Sequence, residues 1–269
     1  RNSGPPVYAV GASPDGGLVL AATADGQVRG WRGQHPAFVL RSQLSGATTS
    51  IAMSPDGRTL AAGGDDATIR IWDVTRARQV IMYRGHTASV TGLAFSPDGK
   101  TLISGSLDNT VRYWDSASGR QVGQPLKYRG AVSQFAVSPD GRLMASADDQ
   151  GDVRLLLNGT RRPAGSEQTL RRSVRKLIFS ADGKTLTAVT NRGEAIVWRT
   201  APFRREGQPL VVSDRSVSSV AASPDGRQLA IGAANGSVVL WSYRNRWQLG
   251  HPAKLHRDIV SDEAFTPDG

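Results

Sequence analysis

The chain has no cysteine in 269 residues, which excludes disulfides and thiol chemistry and leaves the compartment open. It has no apolar run near the ~20 residues that a membrane-spanning helix needs. No signal-peptide pattern opens it, because residues 1–6 (RNSGPP) are polar and turn-rich. Residue 1 is arginine, so the chain reads as a piece of a longer protein. Targeting signals are then missing rather than absent, and the cytoplasm is favoured without being assigned. Acidic residues are in short supply, 23 against 33 lysines and arginines, giving a net charge of +10 and a pI near 10.6. Such a balance favours acidic partners. Arginine outnumbers lysine, which on its blandest reading reflects genomic base composition.

Catalytic and cofactor signatures are missing as well. No glycine-rich nucleotide loop is present, since Gly63-Gly64 ends a strand and leads into a turn rather than a helix. No HExxH, CxxC or EF-hand spacing occurs, and the histidines at 35, 86, 251 and 256 are scattered. No G-x-S-x-G elbow surrounds any serine. The reading is no metal, no cofactor and no enzyme.

What the chain does have is one repeated stretch. Residues 85–115 read GHTASVTGLAFSPDGKTLISGSLDNTVRYWD. Three short apolar runs, Val90 to Phe95, Thr101 to Ser104 and Thr110 to Trp114, alternate with turn signals, the pattern of a β-meander. A fourth run is read from Gln121 to Leu126. The SPDG turn recurs with leading residues Ser13, Ser54, Ser96, Ser138, Ser180, Ser223 and Thr266, in steps of 41, 42, 42, 42, 43 and 43. Eighteen residues after the six serines stand Trp31, Trp72, Trp114, Leu156, Trp198 and Trp241. A large ring at one fixed place per repeat reads as core packing, not as a ligand-stacking row. The aspartates of the turn column accept backbone N–H bonds there. They do not form a carboxylate pair with its own spacing.

The repeat resembles the WD40 family in Gly85-His86, the SPDG turn, the SGS-x-D run from Ser104 to Asp108, and Trp114-Asp115. The family period is about 40–45 residues, one four-stranded propeller blade per repeat. The resemblance implies an all-β WD40 β-propeller over residues 1–269, with repeats starting near 7, 49, 90, 132, 174, 217 and 259. Six blades are expected complete, and the seventh is represented by its first strand. It also implies a buried hydrogen-bonded tetrad in repeat three, made of His86, Ser104, Asp108 and Trp114. Asp25 and Asp66 keep the turn position in repeats one and two, while Gln150, Arg192 and Asn235 replace it later. The polar segments Asn158 to Gln168 and Ala201 to Pro209 read as surface loops.

The resemblance further implies that entry loops and the hairpins joining second to third strands share the end of each blade called the top. Phase puts Arg129, Arg171, Arg172, Arg175, Arg215 and Arg257 near the entry loops and Arg192 on a hairpin. Arginine forks suit acidic or phosphorylated protein segments. The expected function is therefore a non-enzymatic protein–protein interaction scaffold or regulatory module of a larger signalling protein. Two alternatives stand beside it. One is an accessory propeller domain of a hydrolase or periplasmic protein. The other is a basic nucleic-acid binder, which lacks the interleaved aromatics of single-strand platforms.

Overall fold

The computed structural model describes residues 5–41, 46–158, 160–180, 182–211, 217–223, 227–242 and 247–254. The strand expected over 259–265 lies outside them. Among the described residues all regular structure is β, and no helix is long and apolar enough to cross a membrane.

The strands form six antiparallel blades of the β-propeller type. The first holds β1 (Val7–Ala12), β2 (Val19–Thr23), β3 (Gln27–Arg32) and β4 (His35–Arg41). The second holds β5 (Thr48–Met53), β6 (Thr59–Gly64), β7 (Ile69–Asp73) and β8 (Arg78–Tyr83). The third holds β9 (Val90–Phe95), β10 (Thr101–Ser106), β11 (Thr110–Asp115) and β12 (Leu126–Lys127). The fourth holds β13 (Val132–Val137), β14 (Leu143–Asp148), β15 (Asp152–Leu157) and β16 (Gln168–Thr169). In the fifth, β17 (Val174–Phe179), β18 (Thr185–Thr190) and β19 (Glu194–Thr200) are followed by a split outer strand, β20 (Phe203–Arg205) and β21 (Leu210–Val211), both paired with β19. The sixth holds β22 (Val217–Ala222), β23 (Gln228–Ala233), β24 (Ser237–Ser242) and β25 (Trp247–Lys254).

The SPDG turns explain why strands stop where they do. In the third blade Ser96 Oγ donates to Asp98 Oδ1 at 2.6 Å, and the Lys100 amide donates to the same oxygen at 3.0 Å. The Gly99 amide closes the turn on the Ser96 carbonyl at 2.8 Å, with φ at +69°, a left-handed position that glycine occupies without strain. Ser54, Ser138 and Ser180 repeat the serine–aspartate bond at 2.5–2.6 Å.

The chain divides into two compact units, residues 1–132 and 133–269. In the first, the second strands are buried almost throughout and packed close. A Cβ on Gly63 of β6 would stand 2.7 Å from Val90 Cγ1, so only glycine lets these two blades meet. Thr49 Oγ1 then ties them by donating to the Val90 carbonyl at 2.6 Å. In the second unit, Leu186, Ala188, Ile196 and Trp198 form one core with Phe203. Here the structure corrects the expectation of a surface loop from 201 to 209. Phe203 is 8% exposed and its ring centroid lies 6.0 Å from that of Trp198, so an apolar anchor folds part of the connection back as β20. The outer run read over 121–126 is shorter in fact, a single bridge from Trp114 to Gln121 and then the two residues of β12.

Candidate functional site

Three constellations carry polar side chains to defined places. The first is in the third blade. Trp114 Nε1 donates to Ser104 Oγ at 2.8 Å, and Ser104 Oγ lies 2.7 Å from His86 Nε2. His86 Nδ1 lies 2.8 Å from Asp108 Oδ2, which also accepts the Thr87 amide at 3.1 Å. One proton assignment satisfies the whole chain: Ser104 donates to a neutral His86, which donates to an ionised Asp108. Burial holds the His86 imidazole below its ordinary value. Burial pushes the Asp108 carboxyl up, but hydrogen bonds from Thr110 and His86 outweigh it and leave the group below its ordinary value. Gly85 is glycine because a Cβ there would stand 3.0 Å from Trp114 Cη2. Every buried polar atom in this row has a partner, so the network holds its members in place.

The second constellation was not read from the sequence. Arg29, Arg70, Arg112 and Arg154 occupy one position of the third strand, in steps of 41, 42 and 42 residues. Arg29 and Arg112 reach the turn aspartates four residues earlier, Asp25 at 3.6 Å and Asp108 at 3.9 Å, and Arg70 makes a close ion pair with Asp66. Where Gln150 replaces the aspartate, Arg154 pairs with Glu167 at 3.2 Å. Where Arg192 and Asn235 replace it, the arginine is gone too, with Ile196 and Val239 in its place. The same period that marks the SPDG turn would have revealed this column. It also shows that the turn aspartates of the first three blades are largely neutralised, and Asp65 beside them accepts Ser89 Oγ at 2.9 Å.

The third constellation lies at the top of the fifth blade. The Asn191 amide donates to the Ser173 carbonyl at 3.0 Å, which places the entry loop with Arg171 and Arg172 against the hairpin turn with Arg192. The Leu170 amide donates to the Gly151 carbonyl at 2.8 Å, which fixes the loop against the fourth blade. Arg171, Arg175 and Arg192 are exposed, and none closes an ion pair among the described residues. Arg172 departs from the expectation of a charge open to a partner, since it pairs with Glu194. That glutamate is 22 residues away and was not weighed in the sequence. Arg129 is exposed on the loop after β12, and Arg215 and Arg257 lie outside the described residues.

Arg175 breaks a pattern. Five of the six first strands have a bulge one residue after their start, and the extra residue is Tyr8, Thr49, Thr91, Arg175 or Ser218. Ser133 holds the same phase in the fourth blade. Thr49, Ser133 and Ser218 donate across the blade to the carbonyls of Gly63, Ala147 and Gly232, at 3.1, 3.2 and 3.1 Å. In the fifth blade that hydroxyl is replaced by an exposed guanidinium. Bulges re-aim a side chain where a site needs it.

A family model described as "WD domain, G-beta repeat" matches residues 2–32, 36–73, 77–115, 123–155 and 207–242, together more than half of the chain. Its matches leave out 156–206, which hold Arg171, Arg175 and Arg192. Protein groucho of Drosophila melanogaster is 35% identical over 82 residues, 29% of this chain and 11% of its own length. Periodic tryptophan protein 2 homolog of Dictyostelium discoideum is 31% identical over 74 residues, 27% of this chain and 8% of its own. Transducin-like enhancer protein 2 of Mus musculus is 34% identical over 80 residues, 29% of this chain and 10% of its own. The matched stretches thus span about a tenth of each relative. The fully bonded tetrad, the phased turns and blades, and the family match together make this chain a member of the WD40 repeat family.

Proposed function

We propose that the chain is a non-enzymatic interaction module, and that the top of its fifth blade receives an acidic or phosphorylated segment of a partner protein. Family membership supports a protein-interaction scaffold in general. The observation that carries the finer reading is Arg175. A position that holds a small hydroxyl in four blades, bonded across the blade in three of them, and Tyr8 in the first, here presents an exposed guanidinium in the same blade top as Arg171 and Arg192. Residues that break a local rule without structural gain mark functional sites. Arginine forks accept carboxylate or phosphate oxygens in pairs. A signalling role within a longer protein is part of the same proposal and rests on the family alone.

Two fluorescent probes test it, a 12-residue peptide rich in glutamate and a serine-rich one of equal length with two phosphoserines. Arg171→Glu and Arg175→Glu combined, which leave the Arg172–Glu194 pair intact, should slow association at least about tenfold at low salt and leave melting nearly unchanged, as rim charges do. Arg204→Glu with Arg205→Glu, exposed at the opposite end of the blade, is the control. Equal loss from both sets would reduce the effect to general basic attraction, and no loss from the first set would end the proposal.

A further inference from the structure

A second surface lies in the first unit, along the outer strand of the second blade. A groove of about 540 Å³ runs there between β8, the 73–76 turn and the 116–117 turn of the third blade. That volume is within the roughly 300–1,000 Å³ of ordinary ligand sites. Ile71 and Ile81 contribute its apolar lining, and they stand opposite each other in the ladder. Beyond them the register shifts, with Trp72 opposite Gln79, so Val80 is the extra residue of a bulge. At 57% exposure Val80 is the most exposed large apolar side chain among the described residues, and it lines the groove. The third-blade wall is fixed: Tyr83 Oη donates to the Ser116 carbonyl at 2.6 Å and Ser116 Oγ to the Gly99 carbonyl at 2.7 Å.

The charge in the groove is unbalanced. Asp73 already accepts Thr75 Oγ1 at 2.6 Å, the Arg76 amide at 3.0 Å and Arg76 Nη1 at 2.8 Å. Arg58 is exposed and closes no ion pair among the described residues. The lining thus carries two guanidiniums against Asp73, whose lone pairs are largely engaged, while Asp56 in the adjoining turn offsets part of the charge of Arg58. A bulge interrupts the edge of β8, so a continuous added strand is disfavoured and an occupant must be held by its side chains.

We infer that this groove docks a short acidic segment of a partner protein, an apolar side chain seated on Val80 and Ile81 and a carboxylate between Arg58 and Arg76. The site is independent of the fifth blade. The partner is a protein because the groove offers an apolar seat and a cationic end within a few residues' reach.

The test uses ¹⁵N-labelled protein and a capped hexapeptide, Ser-Leu-Ser-Glu-Ser-Gly, followed by amide chemical shifts. Saturable shifts should gather at Thr75, Val80, Ile81 and Ala117. Glu→Gln or Leu→Ser in the peptide, and Val80→Glu or Arg58→Glu in the protein, should each weaken binding at least about tenfold. Arg171→Glu with Arg175→Glu should leave it unchanged, so failure here and failure of the fifth-blade proposal are separable. The variant spectra themselves report folding, because both positions are exposed. No saturable shift in the groove, or equal binding of the glutamine peptide, would overturn the inference.

Discussion

Trp114, at 1% exposure, joins the apolar core to the polar row of the third blade. Its ring stacks tilted against Tyr83 at 5.6 Å while its N–H serves Ser104. Trp114→Ala should cost roughly 3–5 kcal/mol in urea unfolding, as aromatic deletions in cores do. Asp108→Ala should cost more than a surface change, because it strands the His86, Thr110 and Thr87 donors. Two variants melting like the parent would remove the tetrad from this account. Trp198 gives the converse. It is buried, and its Nε1 has no acceptor among the described residues, because Ala188 stands where Ser104 stands in the third blade. Ala188→Ser should return an acceptor and stabilise by up to about 1 kcal/mol. Ala67 offers a similar gain. Its φ is +63°, at a hairpin position where four other blades have glycine, so Ala67→Gly should relieve about 1 kcal/mol of left-handed strain. Unchanged unfolding midpoints for both variants would contradict these two readings.

Within the blades, the polar content is uneven, and pH should expose this. Burial depresses the folded His86 value below the roughly 6.5 of an unfolded histidine. Between the two values the unfolded chain binds more protons, so this stability is present above about pH 6.5 and falls as pH drops through that range. The turn aspartates 56, 98, 140 and 182 are held low first by their serine hydroxyls, so their contribution is present above about pH 3.9 and fades only below it. Hydrogen exchange at pH 7 and pH 5 should show the third blade losing protection while the sixth, which has no such histidine among its described residues, keeps it. Equal loss in both would contradict the assignment. The blades also show what a sequence can and cannot reveal. Turn chemistry and the tryptophan column were legible because each is local and repeats every 41–43 residues. The arginine column had the same period and was missed because the turn aspartates were considered without their neighbours four residues on. Outer strands such as Gln168–Thr169 carry too few residues to show alternation. The bulges at Thr49 and Arg175 are properties of a pair of strands, which neither strand displays alone.

For the molecule as a whole, the net charge of +10 makes any acidic partner's arrival faster and its complex salt-sensitive, with screening over about 10 Å at 0.1 M salt. General attraction of this kind cannot distinguish one arginine from another. The legible part of the candidate site was its charge, and the illegible part was its selection. Arg172 is tied to Glu194 by tertiary contact, while Arg175 stands exposed at a bulge. The central claim is that the fifth blade exchanges a structural hydroxyl for a binding group. Arg175→Thr tests it most directly, because it restores the residue type of Thr49 and Thr91 and removes one charge. Melting and affinity for the phosphoserine probe, measured on the same sample at 50 and 300 mM salt, should diverge: melting unchanged or raised, and affinity at 50 mM lowered several-fold with a shallower salt dependence. Affinity equal to the parent's at both salts, or a loss matched by any exposed arginine such as Arg204→Thr, would contradict the claim.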